Sequence, residues 1–192
     1  MLAGQRGLGS TQFREHIVVL TRARLAVADE VEQAQTLYDN TRLPKPLTLR
    51  QTRALISGMP FNAHLGLRVA AVHRDGVTLE CALREEMRNA MGVLHGGVTA
   101  TLADAAVGVA LLRHFGGQRQ ATTVALKVNY FRPVASGRVR ARAHLIRVGA
   151  AISVGRVDLW DSANRLAGAA LVTYVLLPEV RGAGSERSRG RK

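Results

Sequence analysis

Between Val98 and Leu112 the chain is built from Val, Ala, Leu, Thr and Gly, with one ionisable side chain, Asp104, in the middle. The spacing over residues 97–114 predicts a single long helix that is apolar nearly all round, and such a helix has to be buried. A carboxylate inside it must be paired, hidden at a cost, or put to use. A buried ion pair with an arginine is the structural alternative. The functional reading is the stronger one, because an acid in an apolar wall can exchange protons with water.

What could bury this helix is written on either side of it. Val69, Ala71 and His73, then Val77, Leu79 and Cys81, alternate as strands do, with Asp75-Gly76 between them as a hairpin turn. After Gly116-Gly117 come four more strand-like segments, over 121–132, 137–148, 152–161 and 165–177, separated by Gly137, Gly149 and the Asp161–Asn164 turn. Two strands, one buried helix and four strands make an α+β plan: a curved antiparallel sheet wrapped around a central helix.

The flanks read differently. Phe13, Ile17, Leu20, Val27, Val31, Ala34 and Tyr38 place an apolar stripe on a helix from Ser10 to Asn40, interrupted at Arg24. Pro44 and Pro46 end that pattern, and a second short helix is expected over Thr48 to Gly58. Beyond Pro178 the tail is Gly, Ser and Arg, a composition expected to be disordered. The organisation is therefore a helical extension and linker over 1–50, a globular domain over 51–180, and a basic tail over 181–192.

Charge and cysteine narrow the class. The formal net charge of +13 is spread along the chain, and its density is highest in the tail. A polyanionic partner follows from that, but charge alone does not choose between a nucleic acid and a phosphorylated small molecule. Cys81 is the only cysteine, which rules out an intrachain disulfide and suits a reducing cytoplasm. No uninterrupted apolar run has the length of a bilayer span, and the first residues lack the apolar stretch of a secretory signal. An arginine-containing organellar presequence stays open.

The chemistry concentrates where the long helix begins, at Asn89-Ala90-Met91-Gly92-Val93-Leu94-His95-Gly96-Gly97. Gly96-Gly97 exposes backbone N–H groups at the positive end of the helix, which suits an anion or a developing oxyanion. Asn89 and His95 add polar groups beside it. Asp104 follows Gly97 by seven residues, which sets the two about 10 Å apart along the helix. Reacting atoms need to be roughly 3 Å apart. An antiparallel helix from a second copy would bring one chain's glycine opposite the other's aspartate, so the spacing favours a dimer with composite sites.

Asn89, Gly92, His95-Gly96-Gly97 and Asp104, followed by Thr123, Asn129-Tyr130 and Arg132-Pro133, resemble the hotdog-fold acyl-CoA thioesterases of the phenylacetic-acid-degradation type. The likeness covers roughly residues 55–178. It implies a hotdog fold and hydrolysis of an acyl- or aryl-CoA to free acid and CoA. It also implies that the Gly96-Gly97 turn polarises the thioester carbonyl, and that Asn89 is a second group near that carbonyl or the water. Asp104 from the opposing subunit becomes the nucleophile or general base, and Thr123 orients it, with Thr122 as the alternative hydroxyl. His95 shapes the turn. The resemblance further implies a dimer of dimers.

Acyl transfer from a thioester to water needs a carboxylate and oriented donors, and no His/Cys group has metal-ligand spacing, so no cofactor is expected. Arg138, Arg140 and Arg142 alternate along one strand and, with Arg132, could meet the CoA phosphates; a solvated strand face is the other reading. Two further functions compete: an acyl-CoA-sensing regulator that binds DNA through the N-terminal segment, and hydration of an enoyl thioester. The N-terminal segment is only weakly basic and lacks a helix-turn-helix glycine, so a nucleic-acid partner is not expected. The spacing from His95-Gly96-Gly97 to Asp104 fits hydrolysis better than hydration.

Overall fold

The computed structural model describes residues 44–177, within one compact unit. The helix expected over Ser10–Asn40 and the basic tail over 181–192 lie outside the described residues.

Helix α1 spans Leu49–Ser57 and starts at a capping box: Thr48 accepts the Gln51 N–H while the Gln51 side chain accepts the Thr48 N–H. Gly58 closes it, and Pro60 takes the first position of the short helix α2, Pro60–His64, where its missing N–H costs nothing. Thr52 and Ile56 are the buried face of α1, and Arg53 donates to the Val69 carbonyl at 2.9 Å, which ties α1 to the sheet.

The strands are β1 (Arg68–His73), β2 (Gly76–Ala82), β3 (Ala121–Tyr130), β4 (Arg138–Val148), β5 (Ile152–Trp160) and β6 (Leu166–Leu176). They form one six-stranded sheet in the order β1-β2-β4-β5-β6-β3, and every neighbouring pair is antiparallel. The hairpin at Asp75-Gly76 and the four later strands fall where alternation and turn residues placed them. Strand order does not follow chain order, because β3 crosses to the far edge and pairs with β6.

Helix α3, Gly96–His114, is the element between β2 and β3 and lies against the sheet. Leu102, Ala103, Ala106, Val107, Ala110 and Leu111 face it and are buried against an inner layer that includes Leu79, Val139, Ala141, Val157, Leu159 and Val172. Contact is close at Gly155, where a Cβ would stand 2.7 Å from both Val107 methyl groups. Burying each such leucine or valine contributes about 1.5–3 kcal/mol. With 19 residues and a mean hydropathy of 1.2, α3 has the length and composition of a membrane span, but here it is the core helix of the sheet. Its other face, carrying Thr101, Asp104, Ala105, Gly108 and Leu112, is only half-buried.

The middle of the sheet and its β3 edge differ. In β5, and in β4 as far as Ala143, every second residue is buried, whereas β3 has no buried residue along its ten. Val124, Leu126 and Tyr130 are left exposed on that edge.

Candidate active site

Two clefts open along α3. The first, of about 490 Å³, lies at the helix start and is lined by Asn89, Gly96, Gly97, Tyr130 and Arg132 among others. The second, of about 390 Å³, lies halfway along and is lined by Met59, Phe61, Ala100, Asp104, Gly108 and Tyr174 among others. No residue lines both.

At the helix start, His95 is the N-cap: its Nδ1 accepts the Gly97 N–H at 2.9 Å, and its carbonyl accepts those of Val98 and Thr99. The proton of the neutral ring therefore sits on Nε2. The Gly96 N–H has no acceptor among the described residues, and Gly96 lines the cleft. His95 is fixed in turn by its N–H on the Met87 carbonyl, and the Gly96 carbonyl by the Tyr130 hydroxyl at 2.9 Å.

Asn89 folds the preceding turn. Its Oδ1 accepts the N–H groups of Met91 and Val93, and Gly92 takes the left-handed φ of 73° that the turn needs. The Asn89 amide nitrogen has no partner among the described residues, and Asn89 lines the same cleft as Gly96. Arg88 clasps this loop, reaching the carbonyls of Gly92 and Ala135 and the Glu85 carboxylate.

In the second cleft Asp104 has no ionic partner among the described residues. Its Oδ1 accepts two hydroxyls, from Thr123 at 2.8 Å and from Tyr174 at 3.0 Å, and its Oδ2 accepts none among them. Thr123 is thus the hydroxyl on the carboxylate; strand alternation turns Thr122 to the other face. Burial pushes the Tyr174 hydroxyl well above the ordinary tyrosine range, and the Asp104 charge pushes it the same way, so it stays protonated as a donor.

The basic residues separate. Arg132 lines the first cleft. Arg138 sits on both Glu80 oxygens at 3.1 Å, Arg140 on Asn164, and Arg142 on Asp75 at 2.5 Å; none of these three lines either cleft. Among the described residues no three His, Cys, Asp or Glu side chains converge as metal ligands.

Residues 91–167 match the family model for the thioesterase superfamily. The chain is 32% identical over 133 residues to the medium/long-chain acyl-CoA thioesterase YigI of Escherichia coli, covering 62% of this chain and 86% of that protein. The chain belongs to the thioesterase superfamily. Over 114 residues it is also 35% identical to acyl-coenzyme A thioesterase 13 of Pongo abelii, covering 58% of this chain and 81% of that one. The crystal structure of a Haemophilus influenzae thioesterase superposes with a TM-score of 0.66 at 26% identity, covering 74% of this chain and 99% of that one. The six-stranded sheet with its central helix is accordingly the hotdog fold of this superfamily.

Tyr174 and Tyr130 were not assigned roles from the sequence. Tyr174 carried a signal, since it occupies the inward register of β6 with Val172 and Leu176, and a phenol there must find a hydrogen-bond partner. Which partner it finds depends on the pairing of distant elements.

Proposed function

We propose that this thioesterase-superfamily chain hydrolyses an acyl- or aryl-CoA thioester to the free acid and CoA, in sites shared between two copies of the chain. The division of the machinery between two clefts with no common residue carries this reading. The Gly96 N–H at the helix start donates a hydrogen bond to the thioester oxygen as negative charge builds on it. The Asn89 amide stands beside it as a second donor. Asp104 acts through Oδ2: as a base it takes a proton from water, whose oxygen adds to the acyl carbon, and CoA leaves as a thiolate that takes that proton; as a nucleophile it displaces the thiolate to form an acyl anhydride, which water then hydrolyses.

Gly96 and Asp104 are eight positions apart on one straight helix, about 12 Å along its axis. A second copy packed antiparallel brings its carboxylate opposite the first copy's open N–H. The exposed apolar residues of the β3 edge supply surface for such pairing. A dimer of such dimers is the family's assembly and is proposed here on that ground alone.

Met59, Phe61, Leu112 and Leu126 make the second cleft apolar enough for an acyl chain, and the names of the relatives point to acyl-CoA. Arg132 is the guanidinium nearest the first cleft and is assigned to the CoA phosphates. The buried thiol of Cys81 suits action in the cytoplasm. A panel of straight-chain and aromatic CoA esters, with the products identified, tests the reading. Free acid and CoA from saturated esters are expected, and turnover of enoyl thioesters alone would defeat it.

A further inference from the structure

We infer that Tyr174, occupying space that Gly108 leaves open on α3, is a positioning residue that with Thr123 holds Oδ1 of Asp104 and leaves Oδ2 free to react. The inference rests on the role proposed above for Asp104.

Three observations carry it. First, both hydroxyls meet the same carboxylate oxygen, at 2.8 and 3.0 Å, which makes the two oxygens unequal before any substrate arrives. Second, the single Tyr174 proton is shared between Oδ1 and the backbone carbonyl of Asp104, 2.9 Å away. One phenol therefore references the carboxylate to its own helix turn and restricts its rotation about Cα–Cβ. A carboxylate on a half-buried helix face would otherwise turn among rotamers, and small misplacements of a reacting group are costly. Third, Gly108 lies one turn after Asp104, where a Cβ would stand 2.8 Å from the Tyr174 oxygen and 3.4 Å from its ring carbon. Glycine in the middle of a helix costs stability relative to alanine. Here it makes room for the phenol, so Gly108 and Tyr174 work as a pair.

The test is steady-state hydrolysis of decanoyl-CoA across pH by the full-length wild type, D104N, Y174F, T123V, G108A and the double variant G108A/Y174F. Y174F removes one oxygen and keeps the ring. Its kcat is expected to fall about 10-fold with KM held within about twofold, because a charge-assisted hydrogen bond is lost at the reacting group alone. T123V should lower kcat in the same way, with KM held. G108A should lose at least as much activity as Y174F, and G108A/Y174F should regain part of it, because the tighter clash is removed. An unchanged kcat in Y174F, with D104N inactive, overturns this inference alone. Full activity in D104N overturns the reading of Asp104, and this inference with it. Losses in G108A and Y174F that multiply in the double variant overturn the pairing.

Discussion

The cleft at the start of α3 and the cleft halfway along it are held in shape by different kinds of contact. At the start, most of the bonds are short-range: His95 caps Gly97 two residues on, and Asn89 braces Val93 four residues on. The product is a backbone donor, the Gly96 N–H, whose position follows from turn and cap geometry. Halfway along, the partners of Asp104 come from 19 and 70 positions away, and the product is a side-chain acid with one tied and one open oxygen. In the proposed reaction the local cleft stabilises charge and the non-local one supplies the reacting acid. Under the proposed reading neither is complete alone, and a second copy of the chain completes each.

That division can be broken most directly at the acid. D104N is expected to lower kcat about 10²–10⁴-fold, the range for a positioned acid or base, in an assay at saturating CoA ester. The donor comes next. Gly96 holds the first helical position and His95 before it is already extended, at φ −61° and ψ 135°, so Gly96→Pro removes the N–H with little strain on the helix. It should cost about 10²–10³-fold in kcat, while Gly96→Ala, which keeps the donor, should cost far less.

Mixing these two dead variants sharpens the comparison. If each site takes its donor from one chain and its acid from the other, half of randomly formed pairs contain one intact site, and about a quarter of wild-type activity returns. Sites contained within one chain would show no recovery after mixing and refolding. A smaller effect is expected at the rim: Arg132→Ala should raise KM about 3- to 10-fold for a CoA ester and leave a short thioester without the nucleotide unchanged.

The smallest effect expected is on stability, away from both clefts. Burial holds His73 and His114 below the ordinary histidine range. The unfolded chain therefore binds those protons first as pH falls, and stability should decline below about pH 6.5. Burial works against the Asp75 charge, but hydrogen bonds from Arg142 and His144 outweigh it and hold that carboxyl far below the usual range. Its contribution is present above about pH 4 and is lost on further acidification. Urea midpoints at stepped pH check both, and His73→Gln with His114→Gln should flatten the first decline. These groups line neither cleft, so kcat at a fixed pH is a separate readout.

Much of this was legible in the residues. The hairpin at Asp75-Gly76, the capped helix after Thr48 and the four later strands announce themselves because period and turn chemistry are local properties. Asp104 stood out as one acid among fifteen consecutive residues with no other ionisable group. Thr122 and Thr123 were not separable, because a one-residue shift of register reverses the face a strand residue presents. Arg138, Arg140 and Arg142 were correctly placed on one face of one strand. Their partners Glu80, Asn164 and Asp75 belong to neighbouring chain segments whose order in the sheet no local pattern encodes.

The sequence by itself determined the elements, the helix to be buried, the glycines at its start and the acid within it. Those follow from the spacing of apolar side chains and from the preferences of Gly, Pro and Asn in turns. Only the tertiary structure decided that β3 lies at the edge beside β6, that the open donor is Gly96, and that Tyr174 shares an oxygen of Asp104 with Thr123. These facts depend on which distant segments pack together, and that is set by the fit of the whole core.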